Sequence, residues 1–410
     1  MLSPHKLLHR LWQRLPQAQR RRLLFRFSAF LAPRVGTAAA VTPLTVVGSM
    51  RVPSGLGEGA RLSYLALTAQ GLNPAAIDVG PALMQPTSIQ FPVSTATILP
   101  AGPGTVILHV NGPLMPLALL QLGRRFVIGK RIIAYWSWEL PQLPDEWRMA
   151  LPFFHEVWVP SRFTAQAVAP LLGATPRVVT HPLVAAEPMQ SGKPPWRRPS
   201  GCSFAVLTMF DMASSFSRKN PIGAVLAFRK AFDGIAGCRM VIKLSNGEAF
   251  AEGEKALRTT IGDCENIDII CDTITRGELT ALYAQCDAVI SMHRAEGFGL
   301  LMAEAMLHGL PVVATGWSGN MDYMTQENSC PVDFKLISAR DTQFTYEHPA
   351  MHWADPDIDD AANQLMRLYH NRFWAAKIGQ QAAIDAAAAF SVHRYPNPFV
   401  ATNKWEQVPE

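Results

Sequence analysis

No CxxC pair occurs among the six cysteines, Cys202, Cys238, Cys264, Cys271, Cys286 and Cys330, which all lie in the second half of the chain. That spacing argues against a zinc ribbon or a dithiol redox centre and suits free thiols in a reducing cytosol. No uninterrupted run of 18 apolar residues occurs either. Even the greasiest stretch, Gly299 to Thr315, is broken by Glu304, His308 and Pro311, which argues against a transmembrane helix. No cluster of metal-ligating side chains stands out, so neither a metal nor a cofactor is expected. The 32 prolines follow no repeat, which excludes a collagen-like chain. Charged residues are scarce, 17% against 49% hydrophobic, so the chain can bury large cores. Its 410 residues suggest two or three domains.

Acidic residues are missing from the amino terminus, where the first is Glu58. Lys6, Arg10, Arg14, Arg20, Arg21, Arg22, Arg26 and Arg34 stand alone there, among Leu7, Leu8, Leu11, Trp12, Leu15, Leu23, Leu24, Phe27, Phe30 and Leu31 at helical spacing. Taking those eight cations from the 37 Lys and Arg leaves 29 bases against 32 acids. The body is therefore nearly neutral, which argues against nucleic acid as a partner. A basic amphipathic segment over residues 1–40 suits an anionic membrane surface. The alternatives are a helix packed on the body, a basic tail or an Arg-rich transit peptide.

From Leu44 onward short apolar runs alternate with helical stretches. Strands are expected at Leu44–Gly48, Thr105–Val110, Arg131–Tyr135, Glu156–Val159 and Arg177–Thr180, with a glycine loop at Ser54–Gly59 and a helix from Ala60 to Gln70. A proline-rich linker covers residues 185–200. A second series then begins, with strands Cys202–Met209, Arg239–Leu244, Ile267–Ile270, Ala288–Ser291 and Pro311–Thr315. Helices are expected at Ile222–Phe232, Arg276–Gln285, Gly299–Leu307 and from Asp359 to Phe390. The pattern predicts an α/β protein with two doubly wound domains, 41–184 and 201–385, and a tail, 386–410, that returns to the first. Ligands in such sheets sit beyond the carboxyl ends of the strands, so two facing domains make a cleft.

The most informative segment is Ser291-Met-His-Arg-Ala-Glu-Gly-Phe-Gly-Leu-Leu-Met-Ala-Glu-Ala-Met306. A strand feeds a loop holding Glu296, and Gly297-Phe298-Gly299 opens a helix that carries Glu304. A helix start offers free backbone N–H groups and partial positive charge to a phosphate or a hydroxyl. Carboxylates suit the vicinal hydroxyls of a sugar or ribose. This segment resembles the retaining glycosyltransferases of family 4, which have the two-Rossmann-domain (GT-B) architecture and two glutamates separated by seven residues. The resemblance extends to Pro311–Asp322, to Asp211–Pro221, and more loosely to Ser54–Arg61, Tyr135–Pro141 and Trp158–Arg162.

The resemblance implies that Glu296, Gly297, Phe298, Gly299 and Leu300 hold the donor sugar and its phosphate, and that Glu304 binds the ribose. Arg218 and Lys219 match the basic pair facing the donor diphosphate. Asp211 stands where many relatives have an arginine, which leaves Lys243 as a reserve cation. Gly55 and Gly57 belong to the glycine loop, and Glu139, among Trp136, Trp138 and Pro141, is a candidate to assist the acceptor hydroxyl. His109 and His293 are further cleft candidates. The activity implied is retaining transfer of a hexose from a nucleotide sugar to a glycan or a polyprenyl-diphosphate-linked acceptor in polysaccharide synthesis, in the cytoplasm or on the inner face of the plasma membrane. The Trp-Glu-Leu-Pro segment is similar to that of exopolysaccharide mannosyltransferases, which points to GDP-mannose first and UDP-glucose second. Two other classes stay open. Gly55-Leu-Gly57-Glu-Gly59-Ala60, with Asp78 beyond it, fits an NAD fingerprint, although the strand before it ends too early. A sugar-binding scaffold without catalysis is the other.

Overall fold

The computed structural model describes residues 17–94, 99–184 and 194–400. Lys6, Arg10 and Arg14, most of the proline-rich linker and the last ten residues lie outside the described residues. Two six-stranded parallel sheets form the framework. The first contains β1 Leu44–Gly48, β2 Ala75–Asp78, β3 Gly104–His109, β4 Lys130–Tyr135, β5 Glu156–Val159 and β6 Arg177–Val178, in the order β2-β1-β3-β4-β5-β6. The second contains β7 Phe204–Asp211, β8 Cys238–Ser245, β9 Ile267–Ile270, β10 Ala288–Ser291, β11 Val312–Thr315 and β12 Cys330–Val332, in the order β12-β11-β10-β7-β8-β9. Strand order reverses beside β1 and β3 in one sheet and beside β10 and β7 in the other. Such switch points open crevices at the strand ends. Strands β1, β3 and β10 are buried on both faces, which explains why they read as unbroken apolar runs.

Helices α1 Gln17–Leu31, α2 Gly55–Ala69, α3 Met115–Leu122 and α4 Arg162–Leu172 belong to the first half. Those of the second are α5 Pro221–Phe232, α6 Ala251–Ile261, α7 Arg276–Tyr283, α8 Leu300–Leu307, α9 Ile358–His370 and α10 Arg372–Ala389. The expected glycine loop at Ser54–Gly59 is instead the first turn of α2. Ser54 caps it by accepting from the Gly57 amide, and Arg61 ties the preceding segment down through Met50 O and Val52 O. The helical run from Asp359 breaks at Asn371, whose side chain caps α10 by accepting from Trp374 N. An antiparallel hairpin, β13 Phe334–Ala339 with β14 His348–Pro356, was not expected from the sequence. Most of β13 is exposed, so it lacks the alternation that signals a half-buried strand.

Helix α1 packs against α3 and the segment Asp145–Phe153, burying Phe25 and Ser28. Its other face leaves Leu23, Phe27, Phe30 and Leu31 exposed, Phe30 by 83%. After α10 the chain crosses back to the first half. Gln70 Nε2 donates to Val392 O and Tyr395 O at 2.7 and 2.8 Å, and Tyr395 OH donates to Ser63 Oγ at 2.7 Å. Helices α8 and α10 meet where Gly379 approaches Gly309; a Cβ on Gly379 would fall 2.1 Å from Gly309 O. Gly379→Ala should therefore lower stability by about 1–3 kcal/mol, the usual cost of overpacking, measured by urea unfolding.

Candidate active site

A cavity of about 390 Å³ lies between the two sheets, lined from both halves. The second half supplies Glu296, Gly297, Phe298, Gly299, Leu300, Arg218 and Lys219; the first supplies Ser54, Gly55, Asn111, Ser137, Glu139 and His181. Strand β10 ends at Ser291 and the chain turns into the loop that carries Glu296. Gly299 sits at φ 92°, a left-handed conformation that glycine adopts without strain, and it leads into α8 with no side-chain cap. Leu300 to Met302, the first residues of α8, line the cavity, and the first turn of a helix favours an anion.

Glu296 is 8% exposed and clamped by two cations. Lys219 Nζ donates to its Oε1 at 2.5 Å, and Arg218 Nη1 lies 3.2 Å from the same oxygen. Burial pushes its pKa up, but Lys219 and Arg218 outweigh that and hold it down at about 2. The Glu296 amide donates to Ser318 Oγ at 2.9 Å. Arg218 is fully engaged on one edge, donating to Ala295 O and Ser214 O, while its buried Nε has no partner. Burial works against its charge, and Glu296 more than restores it.

Glu304 occupies a different environment. It does not line the main cavity; it borders a pocket of only about 10 Å³ with Arg276, Tyr283 and His308. Tyr283 OH donates to it at 3.3 Å, and Arg276 Nη2 lies 3.8 Å away. Arg276 also reaches Glu58 of the first half at 2.5 Å, so one arginine bridges two carboxylates across the halves.

The remaining expected residues divide. Glu139 lines the cavity, where Tyr346 OH donates to its Oε2 at 2.6 Å. Trp136 and Trp138 do not join it: both are core residues, with their indole N–H groups directed to Met115 Sδ and Gln142 O. His293 is a correction too. It is fully buried with both ring nitrogens occupied, by Ser291 Oγ and Asn320 Oδ1, each at 3.0 Å, so it braces the Glu296 loop instead of facing a donor. Lys243 is buried and does not line the cavity itself; its ammonium donates to Ser245 Oγ, and Ser245 does line it. Asp211 lines the cavity but is turned onto Ala213 N and Asn246 Nδ2. Gly55 lines the cavity, whereas Gly57 is pressed onto Ser49 O and Val52 O. His109 is buried away from the cavity, and neither ring nitrogen has a partner. Gly297 lines the cavity and also meets the other half: a Cβ there would fall 3.0 Å from Trp138 O, and its carbonyl accepts from Ser161 Oγ at 2.5 Å. Asn111, His181 and Tyr346 were missed, since none sits in a motif, and Ser137 was passed over within the Tyr135–Pro141 segment.

Burial and the nearby Glu58 carboxylate raise the Glu304 pKa to about 7, although Arg276 and Tyr283 oppose this. A carboxyl whose folded pKa is raised adds stability below its unfolded value, and that contribution is lost as pH climbs through the folded one. Glu304→Gln should accordingly be more stable than the parent at pH 8, by roughly 1–3 kcal/mol. The difference should vanish near pH 4, as followed by urea unfolding at each pH.

Among the described residues, no group of three or more His, Cys, Asp or Glu side chains could hold a metal ion. No curated protein matches the chain by sequence. Solved structures do match its fold. The Anabaena protein HepE, in complex with UDP and glucose, is 14% identical over 85% of this chain and 96% of its own, with a TM-score of 0.56. A glycosyltransferase from Rickettsia africae is 14% identical over 87% and 96%, at 0.59. The sucrose-phosphate synthase of Thermosynechococcus elongatus is 15% identical over 86% and 96%, also at 0.59. The chain spans about half of another match, TarM. The family described as family 4 glycosyltransferases in conflict systems matches residues 162–377, more than half of the sequence and all of the glutamate and basic-pair segments, and to that family the chain belongs.

Proposed function

We propose that the protein is a retaining hexosyltransferase that takes its sugar from a nucleotide diphosphate donor. The observation that carries this reading is the clamp on Glu296: a carboxylate held ionised by Lys219 and Arg218 beside the open amino terminus of α8. The carboxylate and the helix amides suit the sugar hydroxyls and the phosphate, and the two cations suit the diphosphate leaving group. In the reaction, the bond from the anomeric carbon to the phosphate oxygen breaks and one to the acceptor oxygen forms on the same face. The acceptor proton passes to the departing phosphate, so no protein nucleophile is needed. Positioning and charge supply the rate. Ribose hydroxyls would replace Arg276 as partners of Glu304. A dehydrogenase is disfavoured because the Gly55–Ala60 stretch lies within a helix whose first turn is capped by Ser54.

The mannosyl donor drawn from the Trp-Glu-Leu-Pro segment has no support among the matched structures. HepE was solved with UDP-glucose, so UDP-glucose becomes the first donor to try and GDP-mannose the second. Lys219→Ala should weaken UDP binding by about 1.5–3 kcal/mol, the range for a hydrogen bond to a charged group, as read by calorimetry. Glu296→Gln should abolish sugar release from UDP-glucose while circular dichroism stays unchanged. Full activity in that variant would remove the donor site from Glu296.

The acceptor we propose is a glycan or a lipid-diphosphate-linked sugar, met at an anionic membrane surface. No helix among the described residues is long and apolar enough to cross a membrane. What supports surface contact is α1, whose outward face carries Leu23, Phe27, Phe30 and Leu31, with Arg26 and Arg34 also exposed. Each basic residue near such a surface contributes about 1 kcal/mol. The protein should sediment with phosphatidylserine-containing vesicles at low salt, and Phe27→Ser with Phe30→Ser should reduce that several-fold. Equal sedimentation of both proteins would mean that this face serves something else.

A further inference from the structure

The hairpin β13–β14 belongs to neither sheet, and the chemistry above assigns it no role. Its turn is fastened to the loop that carries the basic pair. Asp341, 1% exposed, accepts from Ser215 Oγ at 2.9 Å and from the amides of Thr345 and Tyr346 at 3.0 and 2.9 Å. Gln343 accepts from Phe216 N at 2.6 Å and donates to Met212 O at 2.8 Å. The other side of the hairpin leans on the first half, where the Tyr346 ring lies 5.3 Å from that of Trp138. Between these two attachments Tyr346 enters the cavity wall. Its ring lies 5.2 Å from the Arg218 guanidinium, and its hydroxyl donates to Glu139 Oε2 at 2.6 Å.

A carboxylate offers about four acceptor positions on its two oxygens. Tyr346 is the one hydrogen-bond donor that reaches Glu139 among the described residues, so the remaining positions are free to meet a ligand. The orientation of this first-half carboxylate thus depends on a single hydroxyl delivered from the second half.

Resting on the transferase reading above, we propose that Tyr346 is a positioning residue for the acceptor: it fixes Glu139 so that the carboxylate receives a sugar hydroxyl and aligns the acceptor toward the donor held by Glu296. The ligand that Glu139 reads in this proposal is a carbohydrate with a free hydroxyl.

The test uses the full chain with UDP-glucose as donor and methyl β-glucoside as acceptor probe, scoring methyl disaccharide as transfer and free glucose as hydrolysis. Tyr346→Phe keeps the ring and removes only the hydroxyl. It should lower the ratio of transfer to hydrolysis at least tenfold. Glu139→Gln should do the same, and the double variant should be no worse than either single one. A loss of both products in equal proportion would mark a merely structural role and overturn the proposal, as would additive losses in the double variant. If the parent protein turns over neither probe, the transferase reading with this donor fails, and urea unfolding of the same four proteins decides the tie. Coupling of less than twofold in the folding equilibrium between the two positions would then overturn the positioning of Glu139.

Discussion

Everything around the cavity depends on keeping one buried carboxylate charged. Without its partners Glu296 would take up a proton, because burial of an ionised carboxylate is costly. Lys219 and Arg218 prevent this, and each is itself held by the fold. The Arg218 amide donates to Ser215 Oγ, in a residue at φ 68°, and the Arg218 guanidinium closes back on Ser214. On the far side of Glu296, Ser318, Asn320 and His293 form a connected set of hydrogen bonds that fixes the loop. Two segments about 80 residues apart in sequence therefore meet at one oxygen. Both cations face Glu296, and a second acid, Glu139, lines the same cavity, so the resting site carries little excess charge.

The second constraint is that the halves touch closely beside that carboxylate. The Gly297 carbonyl accepts from Ser161, and Thr164 approaches the same oxygen at 3.3 Å. Arg162 adds a bond from its amide to Asp322 at 2.6 Å. The backbone that presents Glu296 is thus seated on the first residues of α4. Gly319 extends the seat, since a Cβ there would fall 2.3 Å from Gly297 O. Glycine at these two positions serves close backbone approach between parts of the protein, and at Gly297 this stands beside the ligand contact that the resemblance implied.

Much of the fold was legible because its strands are short, apolar and punctuated. Strands Glu156–Val159, Ile267–Ile270 and Ala288–Ser291 fall where the pattern places them. The glutamate spacing and the basic pair also carried through to one place in space, apart from Glu304, which the sequence could not show to be covered by Arg276. What stayed hidden has physical causes. A sequence says nothing about whether a histidine's ring nitrogens are already taken, so His293 was read as a cleft candidate. A tryptophan after a strand reads the same in a cleft as in a core, so Trp136 and Trp138 were misplaced. Tyr346 lies in a polar turn with no periodic signal, and its partner Glu139 is some 200 residues away.

The hairpin has a further consequence, for how freely the two halves can be exchanged. Ala339, Tyr346 and Trp353 are carried by the second half of the chain, yet they pack in the apolar cluster built around β3, β4 and Trp138 of the first. Leu62 of α2 does the reverse, packing into a cluster dominated by the second sheet. Each half therefore borrows side chains to complete its interior. A chimera that joined this amino-terminal half to the carboxyl-terminal half of another family member would leave holes where the loans end, unless the hairpin and its seat travelled together. Modular as the architecture looks, the unit of inheritance here is the pair.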